Sequence, residues 1–228
     1  MESTVVSEIF PLLNAAETET LDWLLSVAME EEFASEENIL SDESWGNAVY
    51  FIVSGWVKAR RWCNETPITL SIQGRGDFFG ESAILDEPPR STEIVTLSET
   101  KLISISAQRF IQTLFQDSQL HHKLLQITVR RLRQMDTRLY LRHHPPVVKL
   151  AHILAHLGET YGKPTEEGME ILRIPDGDLA DIADLTLEDT QKFLQKFQTK
   201  GWLEINQDQD TLSITNIRQL SHLAAGSI

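Results

Sequence analysis

Two adjacent prolines, Pro145 and Pro146, end a run of helix-period sequence that begins near residue 107, so the chain must divide into a part before and a part after a natural hinge. Upstream of the break, Leu125, Leu132 and Leu139 recur every seven residues, with Thr128 and Met135 on the adjoining seam positions. A seven-residue apolar repeat marks a helix that packs against a copy of itself. Three heptads are few, and a core helix of one domain would carry the same leucines. The opposite face is rich in arginine, however, which favours a dimerisation helix over 119–144. Leu125, Leu132, Met135 and Leu139 are then expected at the interface.

The flanks have different periods. Residues 6–31 read as helical through Ile9, Leu12, Leu13, Leu21, Leu24, Leu25 and Ala28, interrupted near Pro11 and Asn14. From about 33 to 105 the period falls to two, in short runs such as AVYFIVSGWVKARRW, PITLSIQ, EIVTLS and KLISIS, separated by Gly, Asn, Pro and Asp. This density of short strands predicts an antiparallel sandwich or roll over 1–118. After the hinge, 145–228 reads as an amphipathic helix capped near Gly158, a polar turn at Lys163–Gly168 and a strand at Glu170–Ile174. Two helices within 177–200 and a hairpin at WLEINQDQDTLSIT complete the part. That order describes a winged helix-turn-helix, and the chain as a whole is expected to be α+β.

Charge follows the same division. The net charge is −14, yet residues 119–144 carry six basic groups (Lys123, Arg130, Arg131, Arg133, Arg138, Arg142) against Asp136 alone. Residues 1–118 carry 7 basic and 20 acidic groups, and residues 145–228 carry 7 and 13. Such a balance excludes a general nucleic-acid binder, which needs clustered Lys and Arg to neutralise phosphate. The basic helix is expected to meet phosphate or to neutralise the acidic roll. One cysteine, Cys63, excludes an internal disulfide framework and any all-cysteine metal site in a single chain. No run approaches eighteen apolar residues and MESTVVSEIF has no secretory pattern, so a cytoplasmic protein without a membrane partner is expected. Catalysis is not expected. There is no nucleophile elbow and no HExxH, and the pairs His121-His122 and His143-His144 cannot face one metal from one helix.

The segment GRGDFFGESAILDEPPRST, Gly74–Thr92, carries the most specific chemistry. Its glycines let backbone N–H groups approach a ligand closely. Glu81-Ser82-Ala83 can begin a short helix. Arg90 offers a forked cation suited to phosphate, Ser91 a hydroxyl donor, and Glu81 an acceptor for a sugar hydroxyl. FGE followed by Arg-Ser resembles the phosphate-binding cassette of the cyclic-nucleotide-binding domain, and nearly the whole chain resembles the cyclic-AMP receptor protein/Fnr family of bacterial regulators. The resemblance implies that Glu81 holds a ribose hydroxyl. Arg90 and Ser91 would hold a cyclic phosphate, beside the backbone of Gly80 and Ser82. It implies a cyclic nucleotide such as cyclic AMP as the effector and three partners: a second copy of the chain, a palindromic DNA operator and RNA polymerase. The haem or iron–sulfur sensing used elsewhere in the wider family finds no support, since an N-terminal cysteine cluster is absent. The family's Thr-Ser pair at the adenine falls here on Met135 and Asp136. Methionine makes no strong hydrogen bond to a base, so base recognition is expected to differ.

The second motif is DLADIADLTLEDTQKFLQKFQTK, Asp178–Lys200. Thr186 suits the N-cap of its second helix. The pattern resembles the family's helix-turn-helix, in which the second helix enters the major groove. Thr186, Leu187, Glu188, Gln191 and Lys192 are the expected DNA-contacting residues. Asp184 stands where the family's turn has glycine, and Leu187 where it has a guanine-reading arginine. Six acidic groups against three lysines between Pro175 and Lys200 predict weak, salt-sensitive DNA binding. A sensor or adaptor acting through a protein partner is the alternative.

Overall fold

The computed structural model describes residues 3–41, 47–85 and 92–226, which fall into two compact units meeting at the Arg133–Gln134 bond. The first opens with α1 (Ser3–Ile9), a 3-10 turn at Leu13–Ala15 and α2 (Thr18–Ser26). The strands β1 (Met29–Phe33), β2 (Asn38–Leu40), β3 (Ala48–Ser54), β4 (Trp56–Cys63), β5 (Thr66–Gly74) and β6 (Phe78–Phe79) follow. After α3 (Ser82–Leu85) come β7 (Glu93–Thr96), β8 (Thr100–Ser106), α4 (Ala107–Gln116) and the 24-residue α5 (Ser118–Leu141). Two sheets form, ordered β1-β8-β3-β6 and β2-β7-β4-β5, with every pairing antiparallel. This is the roll that the period-two runs predict.

Alternation along β3 divides the core. Val49 and Phe51 point toward α4 and the N-terminal helices, where Phe51 meets Phe10 at 5.4 Å between ring centroids and Phe78 at 5.8 Å. Tyr50 and Ile52 point the other way, toward Val57, Phe79, Ile94 and Leu102 between the sheets. The helical reading of 6–31 overran, because Met29–Phe33 is an edge strand paired with β8. The helical spacing of Leu21, Leu24 and Ala28 continues up to that point, and only the distant partner strand decides the outcome. Three glutamates on this edge, with Glu32 bonded to Lys101 Nζ at 2.6 Å, discourage pairing with another chain.

Helix α4 and helix α5 are separated by Asp117, which is only 2% exposed. Its Oδ1 accepts from the backbone N–H groups of Gln119 (3.0 Å) and Leu120 (2.9 Å), and its Oδ2 accepts from Glu17 N–H at 2.8 Å. One carboxylate thus caps the start of α5 and holds the residue before α2. Leu120 and Leu124 then turn into the roll's core.

The second unit contains the end of α5, α6 (Pro146–Tyr161), β9 (Lys163–Thr165), β10 (Gly168–Leu172), α7 (Asp176–Ala183), α8 (Leu187–Thr199), β11 (Glu204–Asn206), β12 (Thr211–Ile214) and α9 (Ile217–Ala224). Its antiparallel sheet is ordered β11-β12-β10-β9, and α6 packs on α7, α8 and α9. Pro146 occupies the first turn of α6, where its missing N–H is not needed. Gly158 is not a cap. It lies inside α6, which runs on to Tyr161, and a Cβ there would come within 2.7 Å of Ile214 Cδ1 and 3.1 Å of Ile217 Cδ1. The α+β architecture, with a winged helix-turn-helix after the double proline, is as expected. The described residues add α9, whose Leu220 is fully buried.

Asp117→Ala should lower stability by roughly 2–3 kcal/mol, since it uncaps one helix and leaves a buried N–H of another segment unpaired. Burial raises the Asp117 pKa, but the N–H groups of Leu120, Glu17 and Gln119 outweigh it and hold the carboxyl below its ordinary range. A lowered folded pKa contributes stability that is present above the unfolded value and lost as pH falls through the folded one. Urea unfolding at about pH 7 and about pH 3 should therefore show less acid destabilisation in Asp117→Asn than in wild type.

Candidate effector cassette and DNA-reading helices

The cassette begins at β6. Gly80 has φ 92°, a left-handed conformation that a side chain would strain, and it turns the chain into Glu81 and α3. Glu81 accepts from Arg131, with Nη1 to Oε1 at 2.9 Å. The other guanidinium nitrogen, Nη2, donates to the carbonyl of Phe78 at 2.7 Å, and the guanidinium lies 4.3 Å from the Phe78 ring centroid. Arg131 therefore engages both ends of the Phe78–Glu81 turn from the long helix. Ser82 Oγ donates to Glu81 Oε1 at 3.4 Å. Arg90 and Ser91 lie outside the described residues.

Sequence reading missed Arg131 as a site residue. It was visible only as one of several arginines, and its contact with Glu81 spans 50 positions. Met135 and Asp136 are exposed on α5 beyond Arg133, in the second unit. Met135 lines a cavity of about 250 Å³ there with Arg138, Leu139, Arg142, Lys149 and Asp184. Burial pulls the Arg138 pKa down against the opposing charge of Asp184.

The heptad positions are uncovered in the single chain. Leu125 is 54% exposed, Leu132 57%, Met135 61% and Leu139 58%, with Val129 and Tyr140 beside them. Apolar residues of this size in one line along a helix are an unpartnered face.

In the helix-turn-helix, Asp184 has φ 54° and ψ 54°, the left-handed conformation that glycine usually supplies. It compensates with charge. Its Oδ2 accepts from Arg142 Nε at 3.1 Å and lies 3.6 Å from Lys149 Nζ, and its carbonyl accepts from Lys149 Nζ at 3.1 Å. The bond from Arg142 holds the Asp184 carboxyl below its ordinary pKa despite some burial. Thr186 caps α8, accepting from Asp189 N–H at 3.1 Å. Its hydroxyl therefore has a structural task besides any contact with DNA. Leu187, Glu188, Gln191 and Lys192 share the exposed face of α8, while Thr190, Leu194 and Phe197 are buried. Gln191 Nε2 donates to Asp176 Oδ2 at 3.2 Å. No group of three His, Cys, Asp or Glu able to hold a metal exists among the described residues, and none of their helices is long and apolar enough to cross a membrane.

A sensing roll followed by a winged helix-turn-helix belongs to the class of one-chain regulators that join an effector module to a DNA-reading module. Residues 30–117 match the family model of the cyclic nucleotide-binding domain, and residues 148–223 match that of the Crp-like helix-turn-helix domain. The CRP-like cAMP-activated global transcriptional regulator of Mycobacterium tuberculosis is 27% identical over 179 residues, covering 76% of this chain and 79% of the relative. Regulatory protein CysR of Synechococcus elongatus is 30% identical over 161 residues, covering 68% and 71%. The solved structure of FixK2 from Bradyrhizobium japonicum shares the fold, with a TM-score of 0.75 at 21% identity over 89% of this chain and 100% of that one. The chain belongs to the cyclic-AMP receptor protein/Fnr family of transcriptional regulators.

Substitutions at the turn should separate backbone strain from charge. Asp184→Ala keeps the left-handed cost and loses the ion pairs, so thermal or urea unfolding should show a loss of about 1–2 kcal/mol. Asp184→Gly removes both and should lie within about 0.5 kcal/mol of wild type, because half-exposed pairs are each worth at most about 1 kcal/mol.

Proposed function

We propose that the chain is a homodimeric transcriptional regulator whose cassette takes a cyclic nucleotide and whose α8 reads a palindromic operator. Residues 1–118 act as the effector domain, 119–144 as the dimerisation helix and 145–228 as the DNA-binding domain. The effector is a cyclic nucleotide such as cyclic AMP, the compound in the name of the Mycobacterium relative. Its ribose hydroxyl donates to Glu81, its cyclic phosphate is held by Arg90 and Ser91, and the backbone of Gly80 and Ser82 closes around it. Met135 and Asp136 stand at the base, where Asp136 accepts from an exocyclic amine.

The observation that carries this reading is the pairing of Arg131 with Glu81. The residue expected to bind the ribose is already bonded to the helix expected to form the dimer. A ligand hydroxyl at Glu81 meets the same carboxylate that Arg131 holds, so one residue links the ligand to α5 through a guanidinium. The two α5 helices pack through Leu125, Leu132, Met135 and Leu139. Thr186, Leu187, Glu188, Gln191 and Lys192 then face DNA, and at the promoter the dimer meets RNA polymerase in the cytoplasm.

Thermal unfolding with added cyclic AMP tests the cassette. Ligand that binds only the native state raises the melting temperature in proportion to RT ln(1 + [L]/Kd). Arg90→Ala should weaken that binding at least about thirtyfold, since loss of a desolvated charge contact at an interface is worth roughly 2–5 kcal/mol. If no shift appears with cyclic AMP, cyclic GMP or cyclic di-GMP, the cyclic-nucleotide assignment fails. Light scattering tests the seam, where Leu132→Arg should convert dimers to monomers and an unchanged mass would refute the interface.

A further inference from the structure

On the exposed face of α8, Gln191 has its orientation fixed by another helix of the motif. Its Nε2 donates to Oδ2 of Asp176, the first residue of α7, at 3.2 Å. An unrestrained glutamine amide can turn over, presenting oxygen or nitrogen to a base edge with little preference. An ionised carboxylate only accepts, so Asp176 selects the NH2 end of the amide. One N–H is thereby committed, and Oε1 with the second N–H remains for a partner. An acceptor beside a donor complements the N6 amine and N7 of adenine in the major groove. Guanine shows two acceptors there, O6 and N7, and sets its O6 against Oε1.

The neighbours on α8 do not duplicate this pattern. Glu188 only accepts, which suits the cytosine amine, and Lys192 only donates, which suits guanine or phosphate. Leu187 offers apolar contact to a thymine methyl. Asp176 is also well placed for its own sake, since a carboxylate in the first turn of α7 complements the helix dipole. The bond to Gln191 can therefore stand before any DNA arrives.

We propose that Asp176 is a positioning residue that presets Gln191 to read adenine at one position of each operator half-site. This rests on the DNA-reading role of α8 given above. It carries a second consequence of opposite sign. Asp176 is an anion beside a polyanion, so removing it should strengthen sequence-independent binding while loosening base choice.

The test is selection of the full-length protein on a randomised palindromic duplex library, with and without cyclic AMP, reading base frequencies at every position. Wild type should enrich adenine at one position per half-site. Gln191→Ala should abolish the preference there alone, which marks the position as the one that Gln191 reads. Asp176→Ala should reduce the adenine preference at that position about tenfold, leave the other positions unchanged, and raise affinity for unselected DNA. Asp176→Asn removes the charge and can donate as well as accept, so it no longer selects one end of the amide; it should lower the adenine preference at that position less than Asp176→Ala while still raising unselected binding. The inference is overturned if Asp176→Ala keeps the preference, or if the Gln191-dependent position selects another base. It is equally overturned if both Asp176 variants lose all positions together, the mark of a structural role only. Failure to enrich any sequence with the wild-type protein would instead sink the DNA-reading assignment itself.

Discussion

A single buried carboxylate sets the geometry on which the first unit depends. Asp117 accepts three backbone N–H groups, two from the first turn of α5 and one from the segment entering α2. Without it the chain would have reason to run α4 straight into α5, as the unbroken helical pattern from 107 onward suggests. With it, the long helix starts at a fixed residue and in a fixed direction. Leu120 and Leu124 enter the core beside Phe110, and Arg131 arrives at the FGE turn. Glu81 and the arginine that opposes it are thus registered by a cap at the start of the same helix, well before Arg131.

Local chemistry made part of this structure legible from sequence. The turn at Gly80, the left-handed Asp184 and the Thr186 cap are each decided within a few residues, and the structure shows all three. Interactions across long sequence separations were not legible. Nothing around Met29–Phe33 announces that β8 will recruit it into a sheet, and nothing around Gly158 shows that Ile214 and Ile217 will press on it. The pairing of Arg131 with Glu81 and that of Gln191 with Asp176 are of the same kind. The residue types are ordinary, and only the fold brings them together. The residues expected to meet effector and DNA are therefore legible in the sequence, while their partners within the fold are not.

The acidity of the helix-turn-helix looks different once its partners are known. Asp184 faces Arg142 and Lys149, Asp176 faces Gln191, and Asp178 is buried and partnered. These carboxylates organise the motif from within instead of lining a uniform negative surface. At Asp184 a count of charges overstates the field that DNA would meet, because a carboxylate beside a guanidinium projects much less potential than a free one. The shortage of basic groups on α8 remains, with two lysines, Lys192 and Lys196, and no arginine along the helix.

Helix α5 has two stripes with different duties. Leu120, Leu124, Ile127 and Arg131 face the roll, and Leu125, Val129 and Leu132 stand clear of it. Each inserted residue turns a helix by about 100°, so a single insertion between Asp117 and Arg131 would swing one stripe into the place of solvent or of the other stripe. An insertion of seven nearly restores both, at the expense of about 10 Å in length. Relatives built on this plan are accordingly free to vary the helix's sequence but hardly its spacing. Gaps and insertions should collect in the hairpin loops and stay out of the interval from the cap to the arginine.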